Sequence, residues 1–284
     1  MKKFWSYILI AFGLGWLLQC LACLAGGVWL SLINTVVMLT PLAAAWIISG
    51  GLKREKSGIR WKLHITGQNI GAWLAAWFLP VVLAVLGAVL YFLLFPARFD
   101  PTMPALTAQL AAAGQTLPFK PWVLVLITLA EALSFAPIVN MFFAVGEEAG
   151  WRGWMTPFLT EKLGRRLGLL VSGCIWGLWH APLIVFAGYN FGTGYLGAPF
   201  TGPLIMCVGC MALEIMLTFL YEKTECIWAP ALAHGAFNAV AGIGMYFLRA
   251  DVTSMALGPS PLGLIAGLPL FALAALVLLR KERE

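Results

Sequence analysis

The chain has 284 residues, 61% of them hydrophobic and 11% charged, with a formal net charge of +6. Soluble domains carry about 25% charged residues, so a water-soluble globule is excluded: one core could not hide this much apolar surface. No compact basic patch with interleaved aromatics is present, which argues against a nucleic-acid partner.

In chain order, Met1-Lys2-Lys3 opens onto an apolar run from Phe4 to about Ala25. That run exceeds the roughly 7–15 residues of a signal-peptide apolar region, so it reads as a retained first span. Eight apolar segments emerge, at roughly 5–25, 28–48, 70–95, 121–145, 166–187, 202–221, 226–248 and 261–280. Each must be helical, because an apolar run in lipid has no other way to satisfy its own N–H and C=O groups. The loop 49–69 is basic, and its Trp61–Ile65 stretch suits the headgroup region. The stretch 96–120 carries Pro96, Pro101, Pro104 and Pro118 and reads as an external loop with room for a short helix. Gly173 and Gly177, four apart, would let two helices approach closely.

Lys and Arg set the orientation. With the N-terminus inside, 15 of the 18 fall on the cytoplasmic side: Lys2, Lys3, Lys53, Arg54, Lys56, Arg60, Lys62, Arg152, Lys162, Arg165, Arg166, Lys223, Arg280, Lys281 and Arg283. Only Arg98, Lys120 and Arg249 fall outside. The expectation is an all-α, polytopic transmembrane helical bundle of about eight spans, with both termini cytoplasmic. Residues 1–284 form a single membrane domain. The six cysteines, including the C-x-x-C pairs Cys20/Cys23 and Cys207/Cys210, lie in or beside apolar helices with no neighbouring His and read as small buried side chains.

Polar groups inside such helices cost several kcal/mol each and mark candidate sites. Glu147-Glu148-Ala149-Gly150-Trp151-Arg152 ends the fourth span. Glu148 and Arg152 share one helical face and can pair, while Glu147 is rotated about 100° away. Trp176 and His180 lie one turn apart in the fifth span, and His234 and Asn238 one turn apart in the seventh. Each element alone is unremarkable; two acids, two His and an amide on three helices are the ingredients of a water-activating or metal-binding site. Glu131 and Glu214 lack sequence-local partners and read as interior or interhelical hydrogen-bonding groups. His64 reads as an interfacial residue.

The three motifs resemble those of the CPBP family, which comprises CAAX prenyl endopeptidases, bacteriocin-processing and immunity proteins, and lysostaphin-resistance-protein-A-like proteins. The family pattern is Glu-Glu-x-x-x-Arg, then aromatic-x-x-x-His, then His-x-x-x-Asn or Asp. Here these are Glu147 to Arg152, Trp176 to His180 and His234 to Asn238. The resemblance spans residues 120–245, a CPBP-like catalytic core; Trp176 stands where the family often has Phe.

The resemblance implies an intramembrane endopeptidase acting on a membrane-associated protein or peptide, including prenylated CAAX-type proteins. It further implies a bacterial or archaeal cell membrane and a site opening toward the cytoplasm. Glu147 is the candidate general base, with Glu148 and Arg152 holding the helix end, and the two acids can exchange roles. Two mechanisms stay open. His180 and His234 hold a divalent metal ion, zinc by ligand preference, with Glu147 or Asn238. Alternatively, Glu147 and His180 activate water directly while His234 and Asn238 stabilise the oxyanion. A non-catalytic immunity or binding protein using the same pocket is the second reading. A proton-coupled transporter is the third, disfavoured because no inverted repeat is visible.

Overall fold

The computed structural model describes residues 1–53, 57–112 and 114–280; Arg54, Lys56, Lys281 and Arg283 lie outside the described residues. Among them the chain is all-α with no strand, only two isolated bridges. The helices are α1 (Lys2–Ala25), α2 (Gly27–Val37), α3 (Thr40–Ser49), α4 (Ile70–Leu94), α5 (Pro104–Ala112), α6 (Pro121–Leu133) and α7 (Ala136–Gly150). A five-residue π-helix (Trp151–Met155) continues into α8 (Thr156–Leu163). Then follow α9 (Arg165–Trp179), α10 (Ala181–Ala187), α11 (Gly202–Thr224), α12 (Trp228–Val240) and α13 (Leu268–Leu279). The predicted helix in 96–120 is α5.

Five helical stretches are long and apolar enough to cross a bilayer: 2–25, 27–49, 70–94, 165–187 and 202–224. A sixth arises if α6 and the 136–163 helix count as one span bent by 63°. The bend falls at Ser134–Phe135, just before Pro137, which cannot donate a backbone hydrogen bond. The last two segments predicted to span fold as shorter helices, α12 with 13 residues and α13 with 12.

Burial ranks the helices. In α11, 72% of the apolar window is buried, against 22% in α1, so α11 is the bundle axis and α1 turns a broad face to lipid. Close approach to α11 is made by α9 at the two glycines predicted for it. A Cβ on Gly173 would collide with the Met211 backbone, and one on Gly177 would sit 2.5 Å from Cys207 Cα. The third close contact joins α12 to α7: a Cβ on Gly235 would lie 2.5 Å from the Pro137 carbonyl oxygen and 2.7 Å from Met141 N. These contacts bring α9 close to α11 and α12 close to α7. All six cysteines are free thiols.

The two ends of the bundle differ in charge. Arg60 pairs with Glu225 at 3.1 Å, Arg165 with Glu222 at 2.7 Å, and Phe4 stacks on Phe158, which gathers the basic segments at one end. Arg98 and Arg249 lie at the other end, where the Arg249 N–H donates to the Arg98 carbonyl. Helix α4 connects the two, starting beside His64 and ending just before Arg98.

Gly177→Leu is expected to cost at least the 1–3 kcal/mol typical of about one overpacked site, because backbone rather than a flexible side chain blocks the space. Gly71→Ala, with nothing within 4 Å of its Cβ position, is expected to leave stability unchanged. Thermal unfolding of both variants in detergent measures the contrast.

Candidate active site

Two breaks in the helices create the site. The first is at the end of α9. Pro182 has no N–H, so the helix cannot continue through it, and the His180 N–H donates three residues back to Gly177 at 3.1 Å. That leaves the Trp176 carbonyl without its usual partner. The imidazole of His180 takes it, with Nδ1 at 2.9 Å. Because a carbonyl only accepts, Nδ1 carries the proton and Nε2 is the unprotonated nitrogen of the neutral ring. The carbonyl of Trp179, also at the break, accepts from Gln19 at 2.9 Å and from the Trp16 indole at 3.1 Å, which ties α1 to the site.

The second break is the π-helix after Gly150. Such wide turns disturb the regular ladder and are frequent at functional sites. Here the Trp151 N–H is shared between the carbonyls of Glu147 and Glu148. The two adjacent glutamates then have separate surroundings. Glu147 Oε2 accepts from the Trp176 indole N–H at 2.6 Å and the Trp151 indole N–H at 3.4 Å. Glu148 Oε1 accepts from Arg152 Nη1 at 3.1 Å and from His234 Nδ1 at 2.7 Å. The Glu148–Arg152 pair expected from the i,i+4 spacing is therefore present, fully buried, and joined by His234 from α12.

Arg152 organises more than its own helix. Its Nε lies 3.4 Å from Glu214 Oε2 on α11, and its guanidinium covers the Trp176 ring at 4.0 Å. Glu214 Oε1 in turn accepts from Thr156 at 2.7 Å and Thr218 at 3.0 Å, and Thr156 reaches Ser172 on α9 at 2.8 Å. One buried cation thus connects α7, the π-helix, α9, α11 and, through Glu148, α12. Glu214 belongs to this supporting cluster. Glu131 is exposed at the end of α6, away from it.

Glu147, His180, His234 and Asn238 line one cavity of about 100 Å³, together with Trp176. Glu148 and Arg152 form the layer behind. Tyr189 and Asn190 also line it, and the Tyr189 ring lies parallel to the His180 imidazole, centroids 6.4 Å apart. Neither residue stands out in the sequence, and nor do Trp151, Thr156 or Ser172, whose partners lie on other helices. Among the described residues, no three His, Cys, Asp or Glu side chains stand together as a metal-ligand set. Each imidazole nevertheless has Nδ1 on an oxygen acceptor, the pattern that orients metal-ligating histidines.

Arg152→Met is expected to destabilise the protein by about 3–5 kcal/mol, because it strands two buried carboxylates. Glu147→Gln, whose group accepts indole hydrogen bonds and pairs with no cation, is expected to stay within about 1 kcal/mol of the parent. Denaturant unfolding in detergent separates the two.

Residues 121–240 match the family model described as Type II CAAX prenyl endopeptidase Rce1-like. No curated protein matches the chain. The matched residues contain all three motifs and every motif residue of the cavity, and the match supports a likeness of this central segment to the CPBP/CAAX protease family.

Proposed function

We propose that the protein is an intramembrane endopeptidase that hydrolyses a peptide bond of a membrane-associated protein or peptide in this cavity. The observation that carries the reading is the convergence of Glu147, His180, His234 and Asn238, from three helices, on one small polar cavity within the Rce1-like segment. Hydrolysis requires an activated water, a stabilised oxyanion and a protonated leaving amine.

Glu147 is the base. Two indole N–H groups hold its Oε2, which fixes the carboxylate and leaves Oε1 for a water in the cavity it lines. His180, neutral with its proton on Nδ1, offers Nε2 as a second acceptor to orient that water. His234 works with Glu148. Its Nδ1–H donates to the carboxylate, so a proton gained at Nε2 makes an imidazolium that Glu148 stabilises. In that state Nε2–H donates to the oxyanion, while the proton that Glu147 takes from the water passes to the departing amine, which returns Glu147 to its carboxylate. The Asn238 amide, one turn further on, is the second oxyanion donor. Arg152 and Glu214 keep these groups in place and touch no substrate.

A divalent metal, zinc by donor type, would be held by His180 and His234 through their Nε2 atoms, with Glu147 or Asn238. When bound it would acidify a water ligand. The acceptor-anchored Nδ1 atoms support this variant.

Glu147→Gln and His180→Ala are each expected to lower peptide cleavage at least 100-fold, the lower end of what a positioned acid or base supplies, roughly 10²–10⁴, with folded protein retained. Normal cleavage by both variants would refute the assignment. Metal analysis of the purified protein beside His180→Ala and His234→Ala decides between the two forms: stoichiometric metal lost in both variants indicates the metal route, and activity that survives chelation indicates the direct one.

A further inference from the structure

Helix α6 carries an acid on its outward face. Its inward face, Val125, Leu129 and Ala132, packs against Val81 and Ala84 of α4 and Val240 of α12. Glu131 is turned the other way and is exposed, among the exposed apolar side chains of Leu126, Ile127, Leu133 and Phe135. Among the described residues, no Lys, Arg or His pairs with its carboxylate and no hydrogen-bond donor reaches it. Its depth follows from the helix. Ten residues separate it from Pro121 at the start of α6, a rise of about 15 Å, which is half of a hydrocarbon core about 30 Å thick. Helix α6 and the 136–163 helix together have the length and composition of one broken span, and Glu131 stands just before the break.

The break adds to the negative potential at this point. Pro137 has no N–H to offer the Leu133 carbonyl, and the Ser134 N–H turns back to the Glu131 carbonyl at 3.2 Å. The last turn of a helix is also the negative end of its dipole. A carboxylate and the closing carbonyls of α6 therefore meet on one patch of an outward, otherwise apolar surface. Half-helix C-terminal ends inside membranes are used to hold cations. Beside Glu131, the small residues Ala130 and Ser134 lie one turn apart and are exposed, which leaves room for a second helix to come close.

We infer that this face of α6 is a docking surface for a transmembrane helix of another protein that carries a Lys or Arg near its middle. Ionisable groups within membrane spans are almost always paired or turned to an interior cavity, and Glu131 has no such partner in this chain. A second copy does not supply the cation. The described Lys and Arg residues lie toward the ends of the bundle, except Arg152, which is enclosed between Glu148 and Glu214. A symmetric pairing on this face would set carboxylate against carboxylate. The inference is independent of the endopeptidase reading, because Glu131 does not line the cavity that holds Glu147.

Energy transfer in liposomes between the labelled full chain and synthetic Leu/Ala transmembrane helices tests this. The helices carry a central Lys, a central Leu or a central Glu, and are compared at equal insertion, read by oriented circular dichroism. The Lys helix is expected to associate about 5- to 30-fold more tightly than the Leu helix, the scale of an interhelical polar contact in a membrane, and the Glu helix no more tightly than the Leu helix. The Lys advantage is expected to vanish in Glu131→Leu and to fall in Glu131→Gln, which keeps the size and removes the charge. Equal binding of the Lys and Leu helices by the parent protein overturns the inference, as does a Lys advantage that survives in Glu131→Leu. Self-association of the parent that Glu131→Leu abolishes also overturns it, by giving the face to a second copy. Because its carboxylate bonds nothing in the chain, Glu131→Leu is expected to keep the parent's thermal unfolding midpoint in detergent. A variant that fails to fold would give Glu131 an internal role and contradict the inference as well.

Discussion

The structure depends on one buried cation. Arg152 is fully enclosed and faces two carboxylates, Glu148 on its own helical run and Glu214 on the bundle axis. A lone guanidinium in this setting would be prohibitive, and even a paired one repays its desolvation only with good geometry and further hydrogen bonds. Thr156 and Thr218 bond Glu214 Oε1, His234 bonds Glu148 Oε1 and the face of Trp176 covers the guanidinium, while Arg152 Nη2 and Glu148 Oε2 have no hydrogen-bond partner among the described residues. Removing Arg152 strands two buried carboxylates, and removing either carboxylate takes a counter-charge from the buried guanidinium. The motif helices are therefore held in one mutual arrangement, and the small residues at their contacts set how near they come.

That arrangement separates two jobs that adjacent glutamates would otherwise share. Glu148 is engaged by Arg152 and His234. Glu147, about 100° round the helix, meets only neutral indole donors and faces the cavity. The same partition governs the histidines. His180 is oriented by a carbonyl that a proline-induced break set free, and His234 by the carboxylate that also balances Arg152. Support and chemistry thus meet at Trp176, whose indole N–H holds Glu147 while its ring carries Arg152.

Much of this was legible in the sequence, for physical reasons. Ionisable groups are so costly in apolar helices that Glu147, Glu148, Arg152, His180 and His234 announce themselves, and the i,i+4 spacing gives the Glu148–Arg152 pair and the Gly173–Gly177 contact directly. Glu214 also stands out, but its partner lies 62 positions away on another helix, so no spacing rule identifies its role. Trp151 and Tyr189 look like ordinary apolar or interfacial residues until the π-helix and the segment after α10 bring them to the site. Apolar composition overstates the last two spans, because α12 and α13 are helical for only 13 and 12 residues.

Whether Arg152 and Glu214 act as one unit on which the site is built is decided by a double-mutant cycle in denaturant unfolding with Arg152→Met, Glu214→Gln and the double variant. Residues in one buried network show coupling energies of about 0.5–3 kcal/mol. Coupling toward the upper part of that range is expected, with the double variant clearly less destabilised than the sum of the single ones. Strict additivity of the two substitutions would contradict it.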